Sequence, residues 1–368
     1  MKSTSLLTRS QCEAMKGFAI LCIMMHNFSH FLTRQVQENE YWFNVDNGRN
    51  MMKFLSNLTL SSSALLPIYL FTFMGIGVHV FTFMSGYGLV KKYESAEMPT
   101  VPVWRFVRYR YLKLLRLMLG GFLLCMVVWW FMYNVLLTDP WSIVAQLTMT
   151  INLLPNPDVH INPGPYWFLG MIMEMYVIYR LLLYRKPGGS LWRRNVPTWV
   201  MIAVGLITVA CCEPDPKSDL LVYLRYNCVY GALPFGLGVL AARFDWSKIQ
   251  VSGWLWWFMI PVLLVLMFVA NFNYWLWMLI PAMAIIFVLS IIKVSSLRLS
   301  KILGWIGALS AMLFIVHPAV RECFLGPARA NETSIMMRYV FIAIYFLVSF
   351  ILAMGYRRFL RLLPNPKL

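Results

Sequence analysis

The residues best placed for chemistry lie in one apolar stretch, where Lys16 precedes His26 by ten positions and His30 follows it by four. At a helical rise of about 1.5 Å per residue, His26 sits roughly 15 Å beyond Lys16. A hydrocarbon core is about 30 Å thick, so a helix that begins its crossing near Lys16 carries His26 to mid-depth. A charged group there costs roughly 2.5–3.5 kcal/mol on insertion scales, and an ionisable residue held at that depth points to function. Burial favours the uncharged ring. A neutral imidazole can take the proton of a hydroxyl or accept an acyl group on its own nitrogen, and His26 is therefore the expected catalytic residue. Other apolar segments carry His79, Ser85, Glu174 and His317, candidates for lining a polar cavity or supporting His26. His30 shares a helix face with His26, a spacing that suits metal, but no acid or thiol partner is evident for the pair. No metal is expected.

These side chains need a scaffold that crosses a membrane. Of 368 residues, 60% are hydrophobic and 13% charged, with a mean hydropathy of +0.65. That balance leaves a soluble domain too little polar surface. Apolar runs recur at about 13–33, 63–90, 111–136, 163–184, 197–212, 220–242, 254–271, 273–293, 302–320 and 336–357. The expectation is an all-α polytopic protein of about ten transmembrane helices, one membrane domain over 1–368 with no separate soluble unit. The second run is too long for one straight crossing, and Pro67, Gly75 and Gly77 predict a break or tilt in it. The apolar stretch 141–154 is too short to cross and is expected to be interfacial or re-entrant.

Lys and Arg crowd 91–116, 180–194, 243–248, 293–301 and 357–367, whereas 137–162 has neither. Cytoplasmic loops carry such an excess, so an even number of spans with both termini cytoplasmic is expected. The net charge of +17 is then largely topological, with membrane lipids as partners and no nucleic acid. Seven cysteines lie mostly within apolar runs without metal-ligand spacing and imply no disulfide framework.

The most basic stretch, Arg105 to Arg116, alternates charge with aromatic and aliphatic residues and reads as an interfacial helix leading into the third span. Arginine meets phosphate through two parallel hydrogen bonds. Arg108 and Arg110, with Lys16, are the expected binding set for a polyanionic cytoplasmic acyl donor such as acyl-coenzyme A.

Together these features resemble the integral-membrane acyltransferase-3 family. Its first helix carries Arg, usually followed by Gly, and then His. Lys16-Gly17 and His26 stand in those places, with lysine for arginine and a step of ten in place of the usual eleven. Its Phe-rich Ser-Gly pattern is matched by Phe81 through Tyr87, and its Arg-x-Arg motif by Arg108-Tyr109-Arg110. Weaker matches are Tyr166-Trp167-Phe168-Leu169 with Tyr176, and the late His317-Pro318. The resemblance implies transfer of a short acyl group, acetyl above all, from acyl-coenzyme A to a hydroxyl of a surface glycan, glycolipid or lipid-linked sugar. It implies residence in the cell inner membrane and acyl-coenzyme A as co-substrate, with no bound cofactor. A transporter or flippase for a lipid-linked sugar is the alternative, and no repeat pairs the two halves of the chain in its favour.

Overall fold

A computed structural model describes residues 5–32, 36–39, 42–134, 138–188, 190–331 and 334–368, all helix and connection with no strand among them. The ends of the predicted spans 13–33 and 111–136 lie outside the described residues. The first half of the chain holds α1 (Arg9–Leu32), α2 (Val45–Ser56), α3 (Leu60–Ser63), α4 (Leu66–Met74), α5 (Gly77–Tyr93), α6 (Val103–Tyr133), α7 (Pro140–Thr148), α8 (Pro157–His160) and α9 (Trp167–Ile178). The second half holds α10 (Leu191–Ala210), α11 (Asp219–Arg225), α12 (Cys228–Arg243), α13 (Gly253–Ala270), α14 (Tyr274–Trp277), α15 (Ile280–Val294), α16 (Leu297–Gly307), α17 (Ser310–Ala330) and α18 (Ile335–Leu362).

Every predicted apolar run falls on helix. Four described helices are long and apolar enough to cross a membrane, or six if each of two bent pairs counts as one span. The faces of α6, α13 and α18 that turn outward are apolar, with Leu123, Phe131, Trp257, Val265, Leu347 and Ile351 all exposed. Contiguous apolar surface of this kind suits lipid and not water.

The basic stretch runs without a break into the third predicted span, as the first turns of α6, 31 residues long. Arg and Lys are good helix formers, so the change from charged to apolar residues does not interrupt the backbone. The predicted span 302–320 straddles a 66° bend between α16 and α17. And α17 continues to Ala330, beyond the end of that predicted span. The short 141–154 stretch forms α7 and a single 3-10 turn, with Asp139 accepting from the Trp141 and Ser142 amides at the start of α7 (both 3.0 Å).

The helix that carries His26 is the centre of the molecule. α1 packs against α4, α5, α15, α16 and α17. Its closest approach is to α16, where a side chain on Gly17 would collide with the Leu303 carbonyl and one on Gly307 with the Glu13 carbonyl. Glycine at both positions lets the two backbones touch, as small residues do where membrane helices cross.

A buried ion pair ties the end of α5 to α10 and α12. Glu94, just after α5, accepts from Arg243 Nη2 (2.7 Å) and Nε (2.9 Å), from Tyr179 OH (3.1 Å) and from Arg194 Nη2 (3.3 Å). Removing one partner of such a pair leaves a buried charge uncompensated, at about 3–5 kcal/mol. Glu94→Ala is expected to lower the thermal unfolding midpoint of the detergent-solubilised protein markedly, with the exposed Glu97→Ala as control. Equal midpoints would show that Glu94 holds nothing together.

Candidate active site

Gly75, at φ +52°, breaks the second apolar segment as its sequence suggested, and α4 and α5 meet at 47°. The last four carbonyls of a helix have no intrahelical donor, and that of Phe71 is among them at the end of α4. His26 Nδ1 lies 3.2 Å from it. A carbonyl can only accept, so Nδ1 carries the hydrogen and donates. In the neutral ring Nε2 is then the acceptor nitrogen, the form that a general base requires.

His26 is buried in the wall of a cleft of about 600 Å³, mouth included. α1 contributes Ile23, Asn27 and His30 to that wall, the α4–α5 break contributes Gly75, Gly77 and Val78, and Trp167, Phe168, Phe314 and Arg321 close the far side. His30 stacks on His26 at 5.9 Å between ring centroids, and its Nδ1 lies 2.9 Å from Glu38 Oε2. No acidic partner for the histidine pair is evident in the sequence; the structure supplies Glu38, from residues 36–39 after α1.

Lys16 lies at the other end of α1, bonded to Glu13 (2.8 Å). Lys16, Lys92 and Arg110 all add to the positive electrostatic environment of Lys113, so that α1, α5 and α6 contribute cations to one basic region. Arg110 rests on Tyr176 (4.9 Å), Tyr93 (5.0 Å) and Phe106 (5.4 Å). Among the described residues no carboxylate pairs with it, and its buried Nε has no hydrogen-bond partner. Neighbouring cations are already taken: Arg116 by the carbonyls of Leu360 and Leu363, Lys186 by those of Ser95 and Met98, and Arg180 by that of Val101. Arg108 does not join Arg110. Two residues apart on a helix they face opposite ways, and Arg108 is exposed.

The remaining candidates are scattered. His79 lines a neighbouring, mainly apolar cavity of about 830 Å³, where its Nε2 is 3.4 Å from Tyr230 OH. Gly75 borders both spaces, and Glu38 lines the larger one. Ser85 Oγ donates to Phe81 O in its own helix (2.9 Å). Glu174 accepts the Cys228 amide (2.8 Å) at the first turn of α12, a carboxylate at the positive end of a helix. His317 is fully buried with Nδ1 on the Leu313 carbonyl (3.0 Å), one layer behind Phe314.

Sequence reasoning missed three participants. The Phe71 carbonyl is backbone, and only the Gly75 break announces it. Arg321 lies one turn after His317 and projects into the cleft, its Nη2 2.6 Å from Glu322 Oε1. Glu38 stands in a stretch with no periodicity to aim it.

A family model described as an acyltransferase domain matches residues 10–358 of the 368. No curated protein and no solved structure matches the chain.

Proposed function

The chain belongs to the acyltransferase-3 family and is a membrane acyltransferase, and from that premise we propose that it moves a short acyl group, acetyl above all, from cytoplasmic acyl-coenzyme A to a hydroxyl of a surface glycan, glycolipid or lipid-linked sugar. The observation that carries the reading is the bond from His26 Nδ1 to the Phe71 carbonyl, which leaves Nε2 as acceptor in a cleft. The acceptor hydroxyl gives its proton to Nε2 as its oxygen attacks the thioester carbonyl. The carbon–sulfur bond breaks, and the departing thiolate takes the proton back from the imidazolium. The products are an ester and coenzyme A thiol.

Acyl-coenzyme A is two-ended, with phosphates at one end of the pantetheine arm and the thioester at the other. The Lys16, Lys92, Arg110 and Lys113 mouth suits the first and the His26 cleft the second. Ten spans with both termini cytoplasmic, in the inner membrane, would put the mouth inside and the cleft toward the outer face. The test uses acetyl-coenzyme A labelled in the acetyl group, purified protein and an extract of the host's glycans and lipids. Alkali-labile label in the extract is the expected product. Label that remains wholly with coenzyme A while a labelled lipid-linked sugar crosses proteoliposomes would overturn the reading in favour of a flippase.

A further inference from the structure

We propose that His26, His30 and Glu38 form a binding site for a divalent transition-metal ion of the zinc class, and that an ion bound there blocks transfer. One ring nitrogen from each histidine and one Glu38 carboxylate oxygen all lie within 4.8 Å of one another. Ligands on a tetrahedral zinc with bonds of about 2.0–2.1 Å are about 3.3 Å apart. The histidines sit one turn apart on one helix face and Glu38 already touches His30, so the three ligand atoms have little distance to close around an ion. Two imidazoles and a carboxylate favour zinc, cobalt or nickel over magnesium or calcium.

The surroundings are those of a held site. A metal-binding histidine characteristically donates its other ring N–H to a carbonyl or carboxylate, and His26 Nδ1 does so to Phe71 O. Glu38 is 6% exposed, and its carbonyl accepts from Asn47 Nδ2 (2.9 Å). Asn47 also bonds Asn39 (2.8 Å), which is fastened in turn to Asn271 (3.0 Å) and Trp277 (2.7 Å). This network holds residues 38 and 39 in place, with the Glu38 carboxylate against His30. The other cation in the cleft, Arg321, carries its own carboxylate, Glu322. The expectation of no metal rested on the lack of an acid beside the two histidines, and Glu38 removes that ground.

The block follows from chemistry and rests on the proposed role of His26. A nitrogen lone pair given to a metal ion cannot also take a proton, so occupancy and base catalysis exclude each other.

The test begins with full-length protein stripped by a chelator and dialysed against Zn²⁺ at a series of concentrations. About one zinc per chain is expected, with affinity at least tenfold weaker in Glu38→Gln and in His30→Ala. Equal affinity in all three would overturn the site. Should a variant fail to fold, Co²⁺ added to the unmodified protein decides: a visible ligand-field band that zinc displaces supports the site, and its absence overturns it. Inhibition is then read as the zinc concentration that halves each protein's own metal-free rate, which should rise at least tenfold in His30→Ala. Zinc bound through Glu38 with transfer undiminished would leave the site intact and overturn the block, and with it His26 as the base. If His26→Ala transferred at the parent rate, the proposed mechanism would fail whatever zinc does.

Discussion

His26→Ala is expected to lower kcat for transfer by about 10²–10⁴-fold, the usual loss when a general base is removed. The protein should stay folded. The ring's hydrogen bond to Phe71 O is worth about 1 kcal/mol net, and the cleft around it leaves room for the missing atoms. Acyl-coenzyme A should still bind, because the cationic mouth lies at the other end of α1. The result is therefore a loss in kcat at nearly constant donor affinity, measured by initial rates beside binding of labelled acyl-coenzyme A. A folded His26→Ala protein with near-parental kcat would move the assignment to His79 or His317. Loss of donor binding in the same variant would place His26 in the donor site before any role in the chemistry.

Arg110→Gln is expected to raise KM for acyl-coenzyme A by about tenfold or more, since charge-assisted hydrogen bonds contribute about 1.5–3 kcal/mol each. kcat at saturating donor should change little. The aromatic faces that hold Arg110 stay in place and can pack the glutamine chain, so insertion and folding are retained. Arg110→Lys should restore only part of the affinity, because a point charge replaces the fork. Arg108→Gln should shift KM much less, its side chain being on the other face of α6 and exposed. Equal effects of the two glutamine variants would contradict the geometry and return both residues to the role of topological anchors.

The physics of apolar burial made the helical class and most element positions visible in the sequence. Gly75 shows how far that reaches: glycine in an overlong apolar run predicts a break, and the break is there at φ +52°. Which carbonyl the break releases, and that His26 takes it, depends on how α1 packs beside α4. The Arg108-Tyr109-Arg110 motif reads in the sequence as one unit, yet a period of 3.6 residues sends the two arginines apart. Arg110 was legible as a cation but not as one seated on Tyr93 and Tyr176, which come from separate helices. Glu174 reads in the sequence as a cavity or supporting carboxylate and stands in the structure at the start of α12. Glu38 was not legible at all, since a hydrogen-bond network from Asn39, Asn47 and Asn271 aims it and no pattern in its own segment does.

Donor and acceptor are expected to reach His26 from opposite ends of α1. Proteoliposomes of one orientation, with acyl-labelled acetyl-coenzyme A sealed on the face of Arg110 and the acceptor extract on the face of Glu38, test it most directly. The account predicts ester-linked label in the acceptor in this arrangement, and little when both reactants are supplied on the Glu38 face alone. Equal transfer with both on the Glu38 face would contradict it.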